Sequence, residues 1–129
     1  MKKLYSTLIM VSALLMSMFT QAEEMPMSFP GVTTVSAEQM LDLVDAHDDL
    51  VIIDSRKPSD YEKGHIPDVV HLVNTDTNAD TLAANIATKD TPVCFYCNGV
   101  TCARSGEAAQ VAVKEGYSKV YWLRGGIAE

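Results

Sequence analysis

The sequence is short of positive charge. Against 17 acidic side chains it sets only 10 lysines and arginines, for a formal net charge of -7. That balance argues against nucleic acid or an anionic membrane as a partner, since both select for basic surfaces. Cysteine is scarce as well, and all 3 residues fall between Cys94 and Cys102. Crowded in this way they cannot make a disulfide framework, which staples distant parts of a chain. Histidine is limited to His47, His65 and His71 at none of the usual zinc-ligand spacings, so no metal and no other cofactor is expected. There is no internal repeat, no low-complexity segment, and no apolar run of the roughly 20 residues a membrane span needs. A chain of 129 residues has room for one full domain, and 47% hydrophobic residues suffice for one core.

Lys2 and Lys3 precede a short apolar run, Leu8 to Phe19, broken by Ser12 and Ser17. Thr20-Gln21-Ala22 then offers small residues where a signal peptidase reads. The expectation is a leader over residues 1–22, with an uncleaved anchor as the alternative. An extended lead-in over 23–34, containing Pro26 and Pro30-Gly31, and a folded domain over 35–129 follow it. The protein is then periplasmic or secreted, off the membrane once the leader is removed, in a compartment that favours oxidised thiols.

Beyond the leader, strands and helices alternate. Strands are expected at Val32–Val35, Leu50–Asp54, Val69–Val73, Val93–Tyr96 and Val120–Leu123. Ser36 and Gln39 form a capping box that opens a helix running to about Ala46, with Ala37, Met40, Leu41 and Val44 on its inner face. One helical turn is expected near Ser59–Lys63, ended by Gly64, and a short helix at Thr81–Ala87 with Leu82 and Ile86 inward. A longer helix, Ala103–Glu115, sets Ala108, Val111, Ala112 and Glu115 along one face and is capped by Gly116. This alternation predicts an α/β fold: a mostly parallel central sheet of about five strands with helices on both faces.

The chemistry converges on Cys97. It follows an apolar strand and precedes a polar loop with Gly99 and then a helix. In that layout loop amides and the first helical turn face the sulfur and favour its thiolate, with Arg104 adding positive charge. Cys94 is expected to face the core. Asp54 closes a buried strand at the edge where binding groups of α/β sheets gather.

Several pieces occur in order: Asp54-Ser-Arg56, Gly64-His65-Ile-Pro67, Tyr96-Cys97, Arg104-Ser105 and Leu123-Arg124-Gly-Gly126. Together they resemble a single-domain rhodanese, a sulfurtransferase, over roughly Val35 to Ile127. The resemblance implies a Cys97 thiolate that takes the outer sulfur of thiosulfate or a related donor and passes it, as a persulfide, to cyanide, a thiol or a protein acceptor. Asn98, Gly99, Val100, Thr101, Cys102, Ala103 and Arg104 would hold the donor and the persulfide, with Arg104 on the sulfonate. Asp54, Arg56 and His65 would support the site: Asp54 orienting loop amides, Arg56 pairing with Glu62 or another acid, His65 hydrogen-bonded in its turn. Arg124 lies near the pocket or on plain surface. The sequence departs from the family where Cys102 and Ala103 come before Arg104, which lengthens the loop, and where it stops at Glu129 without the usual aromatic closing segment.

Three other readings compete. A related fold hosts phosphatases, but this chain has Ala103 where they place arginine and Tyr96 where they usually place histidine. A thiol–disulfide protein would use Cys97 and Cys102, with four residues between them in one loop. Cys94 and Cys97 point to opposite strand faces roughly 10 Å apart and cannot bond. A rhodanese-like binding module without turnover is the third, although the intact cysteine loop argues against it. Cys102 is thus either a resolving partner for Cys97 or a packing residue. The leader predicts its own test: protein secreted from a bacterial host begins at Glu23 on N-terminal sequencing, and a chain still starting at Met1 and held in membranes would refute the cleavage.

Overall fold

Five short strands line up side by side in a computed structural model that describes residues 22–129; the expected leader's run from Leu8 to Phe19 lies outside the described residues. The strands are β1 (Val32–Val35), β2 (Val51–Asp54), β3 (Val70–His71), β4 (Val93–Tyr96) and β5 (Val120–Leu123). All pairings are parallel, in the order β1-β5-β4-β2-β3, so β4 is central. The helices are α1 (Ala37–Ala46), α2 (Pro58–Tyr61), α3 (Ala79–Asn85) and α4 (Arg104–Lys114), with short 3-10 turns at Asn74–Asp76 and Gly126–Ala128. No described helix is long and apolar enough to cross a membrane.

Register decides which residues share a face. Ile53, Phe95 and Trp122 are mutual partners across β2, β4 and β5, and all three are fully buried. They form one core with Leu82 and Ile86 at α3 and Ala108, Ala109 and Ala112 of α4. The alternate positions Val35, Cys94, Tyr96 and Leu123 face the other way, under Met40 of α1. Helices therefore cover both faces. Small residues let α4 lie close. A Cβ on Gly106 would sit 2.8 Å from the Phe29 ring, which packs against Trp122 at a tilt of 43° with centroids 5.0 Å apart. The Trp122 indole donates to Ser105 Oγ at 2.8 Å, so its buried N–H is satisfied.

The capping box forms as expected: Gln39 N donates to Ser36 Oγ, and Ser36 N donates to the Gln39 side chain. The expected inner face of α1 holds for Ala37 and Met40 only. Ala37, Met40 and Leu43 pack on the sheet, whereas Leu41 and Val44 are 60% and 43% exposed. The stripe is rotated by about one residue, because an i, i+3 spacing from Ala37 suffices to cover so short a sheet. The strand expected at Val69–Val73 shrinks to Val70–His71, an edge with β2 alone as neighbour.

A buried charge sits at the end of β2. Asp54 is fully buried. It accepts from Arg56 N at 2.9 Å, from Arg56 Nε at 3.0 Å and Nη2 at 2.8 Å, and from the Tyr96 hydroxyl at 2.6 Å. Arg56 Nη2 also donates to Gly64 O at 2.7 Å. Arg56 is expected to pair with Glu62 or another acid, and the acid is Asp54. The two stand two residues apart, but the turn after β2 folds the guanidinium back on the carboxylate. Burial alone would raise the Asp54 pKa; hydrogen bonds from Arg56 and Tyr96 outweigh it and hold it below the usual value. The Asp54 hydrogen bond raises the Arg56 pKa in turn, against burial.

A carboxylate with a depressed folded pKa binds fewer protons folded than unfolded, so its contribution is complete above the unfolded value of about 3.9 and is lost as pH falls through the folded value. Urea midpoints of the wild type should therefore drop with acidification below about pH 4. Asp54→Asn should flatten that part of the profile and cost about 3–5 kcal/mol at neutral pH, because Arg56 stays buried without its counter-charge.

Candidate functional site

Cys97 emerges from the end of the central strand, 1% exposed. Beside it, Ser55 N donates to Tyr96 O at 3.0 Å and extends the β2–β4 ladder. The chain runs outward from this pair of strands in both directions, so Cys97 sits at the switch point where open parallel sheets bind ligands. Cys94, three residues earlier, is fully buried on the α1 face, and burial pushes its thiol up to about 12. It is an inert core residue, as its strand position predicts.

The loop from Asn98 to Ala103 is pinned by its carbonyls. Ile127 N donates to Cys97 O at 2.9 Å and Ala128 N to Asn98 O at 3.2 Å. On the other side Met25 N donates to Val100 O at 2.8 Å. Asn98 Nδ2 reaches Asp60 Oδ2 of α2 at 3.2 Å. Within the loop, the Cys102 amide is taken by Gly99 O at 3.0 Å, so Cys102 does not offer the free amide expected of it. The amides of Asn98, Gly99, Val100, Thr101 and Ala103 donate to no other described residue. A loop held by its acceptors keeps its donors for a ligand.

Cys97 and Cys102 are joined by a disulfide, with Cα atoms 6.2 Å apart. Cys102 is half-buried, and Arg104 Nη1 lies 3.8 Å from its sulfur. Arg104 opens α4, so it sits in the first turn as the sequence implies, although the sulfur it touches is that of Cys102.

Of the supporting residues, Asp54 is placed differently from expectation, whereas His65 makes the turn hydrogen bond expected of it. The Asp54 carboxylate does not orient loop amides; its hydrogen bonds all come from Arg56 and Tyr96. His65 is exposed, donates from Nδ1 to Tyr61 O at 3.0 Å and stacks on Tyr61 at 3.7 Å, outside the cysteine loop. His71 stacks on Tyr61 at 4.1 Å and donates from Nε2 to Arg56 O at 2.8 Å, a brace that sequence reasoning missed. Arg124 is a strap anchor: it donates to Met25 O at 2.7 Å and Pro26 O at 3.0 Å and pairs with Glu24 at 3.3 Å. The lead-in is thus part of the site's frame. A cleft of about 540 Å³ lies beside the loop, lined by Gly99, Val100, Arg124 and Met27 among others; neither Cys97 nor Cys102 lines it. Among the described residues no group of three His, Cys, Asp or Glu side chains could hold a metal ion.

An open parallel α/β sheet with a cysteine-headed loop at the end of its central strand defines the class. The rhodanese-like domain family model matches residues 36–129, and the chain belongs to that family. It is 29% identical over 96 residues to a protein of Allochromatium vinosum named sulfurtransferase, covering 74% of this chain and 85% of that one. Among solved structures it resembles an uncharacterized protein of Saccharomyces cerevisiae (25% identity, TM-score 0.59, 74% and 88% of the two chains). It also shares its fold with the human single-domain sulfurtransferase (19% identity, TM-score 0.59, 74% and 92%).

Gly126 makes the carbonyl clamp. Its φ is +62°, and a Cβ there would meet Cys97 O and lie 2.7 Å from Gly99 N. Gly126→Ala should cost more than about 1 kcal/mol in urea unfolding. It should also shift the amide resonances of Asn98 and Gly99 in NMR spectra, whereas Gly116→Ala, past the far end of α4 with nothing near its added Cβ, should cost stability through its φ of +92° and leave those resonances in place.

Proposed function

We propose that the protein is a sulfurtransferase that moves a sulfane sulfur from thiosulfate or a related small donor to a thiophilic acceptor, a thiol or cyanide. The observation that carries this reading is the placement of Cys97 at the head of a clamped loop whose amide donors are unspent. The Cys97–Cys102 disulfide is reduced before turnover. The Cys97 thiolate then attacks the donor's outer sulfur; that S–S bond breaks, and sulfite leaves with the electron pair. The outer sulfur stays on Cys97 as a persulfide. Loop amides from Asn98 to Ala103, except that of Cys102, stabilise the anionic sulfur, and Arg104 takes the donor's sulfonate. The acceptor attacks the outer sulfur and returns Cys97 as thiolate. Relatives named sulfurtransferase support the reading. With its leader removed, the protein works in the periplasm or outside the cell.

The disulfide favours a second reading, a thiol–disulfide redox protein using Cys97 and Cys102. The pre-reduced enzyme with thiosulfate and cyanide separates the two: a sulfurtransferase makes thiocyanate, and a purely redox protein makes none. Cys97→Ser should lower thiocyanate formation by about 10³-fold or more. Cys94→Ala should keep most of it, since that thiol is inert and remote in the core. Equal loss in both variants would overturn the assignment of Cys97.

A further inference from the structure

We propose that Cys102 is the first acceptor for the sulfur carried on Cys97, so that the loop itself turns a persulfide into hydrosulfide and leaves the Cys97–Cys102 disulfide behind. The inference rests on the Cys97 persulfide of the preceding reading and assigns that site a further activity, sulfide release coupled to a dithiol reductant.

Four observations carry it. The two cysteines are bonded within the loop, at a Cα separation of 6.2 Å that lies inside the roughly 4.4–6.8 Å range of disulfides. The bonded loop keeps its carbonyl clamps from Met25, Ile127 and Ala128. Arg104 places a positive charge 3.8 Å from the Cys102 sulfur, which must carry negative charge when it attacks. The third cysteine, Cys94, is buried out of reach.

The step balances without an added oxidant. The Cys102 thiolate attacks Sγ of Cys97. A Cys102–Cys97 S–S bond forms, and the bond between Cys97 Sγ and the outer sulfur breaks. The outer sulfur leaves with the bonding pair and, with a proton, becomes hydrosulfide. The sulfane sulfur is reduced by two electrons, and the two thiols supply them by becoming a disulfide. A dithiol reductant, a small molecule or the paired cysteines of a reducing protein, then restores both thiols and is itself oxidised.

Exposure sets the direction of that last exchange. Cys97 is 1% exposed and Cys102 is half-buried beside Arg104, so an incoming thiolate reaches Cys102. Attack there expels Cys97 as the leaving thiolate, ready for the next donor.

The test is one turnover on the full secreted protein, reduced, freed of reductant under argon, and given thiosulfate with no thiol or cyanide. The wild type should release about one sulfide per chain and lose the mass of two hydrogens. Its digest should yield a Cys97–Cys102 linked peptide. Cys102→Ser, and Cys102→Ala should the serine variant fail to fold, should instead hold one added sulfur and release less than about a tenth as much sulfide. A wild type that keeps the added sulfur while Cys102 remains open to alkylation would overturn the proposal and leave the sulfurtransferase reading standing. No added sulfur on any of the three proteins, with no sulfide released, would remove the persulfide reading and this inference with it.

Discussion

A buried carboxylate governs the end of the sheet where the cysteine emerges. Asp54 has no access to water, so its charge persists only while Arg56 and Tyr96 supply hydrogen bonds. Those partners have further obligations. Arg56 holds Gly64 O with the same Nη2 that pairs with Asp54, and its own carbonyl takes His71. The Tyr96 oxygen accepts from Ile66 N at 3.3 Å. One ionised group thus fixes β2, β4, the 64–66 turn and the edge strand β3 together. Cys97 follows Tyr96 directly, and its backbone position is inherited from that network.

The loop beyond Cys97 is fixed by a different device. Its carbonyls are taken by the lead-in on one side and by the Gly126–Ala128 turn on the other. The lead-in is held in place by Arg124, which sits one residue past β5, and by Phe29 against Trp122. Both ends of the described chain therefore converge on the loop that follows Cys97. Such a frame limits how far the loop can move when its thiols change state.

Much of this was legible in the sequence, and the gaps have physical causes. Apolar runs gave the strands, and Ser36 with Gln39 gave the start of α1, because both are local signals. The pattern around Cys97 and the Gly-His-Ile-Pro segment pointed to the family. Asp54 as the acid that pairs with Arg56 was not singled out because Arg56 lies past the end of β2, where the strand's period of two no longer says which way a side chain points; only the turn after β2 brings the two together. Arg124 was undecidable because its partners, Met25 and Pro26, lie almost a whole chain away in sequence. The outer exposure of Leu41 and Val44 reflects how little of α1 a short sheet can cover. His65 carried a family position in its Gly-His-Ile-Pro segment, yet the brace on Arg56 is His71, whose sequence context contains no motif.

Six residues separate Cys97 from Arg104, and the geometry of that loop explains why its length does not simply loosen the site. A loop stabilised through its own amides would lose those bonds whenever a ligand claimed them. Here the amides of Asn98 to Thr101 are unspent, and the holding bonds run through carbonyls to Met25, Ile127 and Ala128. Anion binding and loop clamping therefore do not compete for the same groups. A disulfide between Cys97 and Cys102 uses neither set, since it joins side chains across the loop. Three demands are met by three separate sets of atoms: ligand donors, structural acceptors and a redox pair. That separation allows a buried thiol and a half-exposed one to exchange bonds while the backbone around them stays where the Asp54 network and the two chain ends have put it.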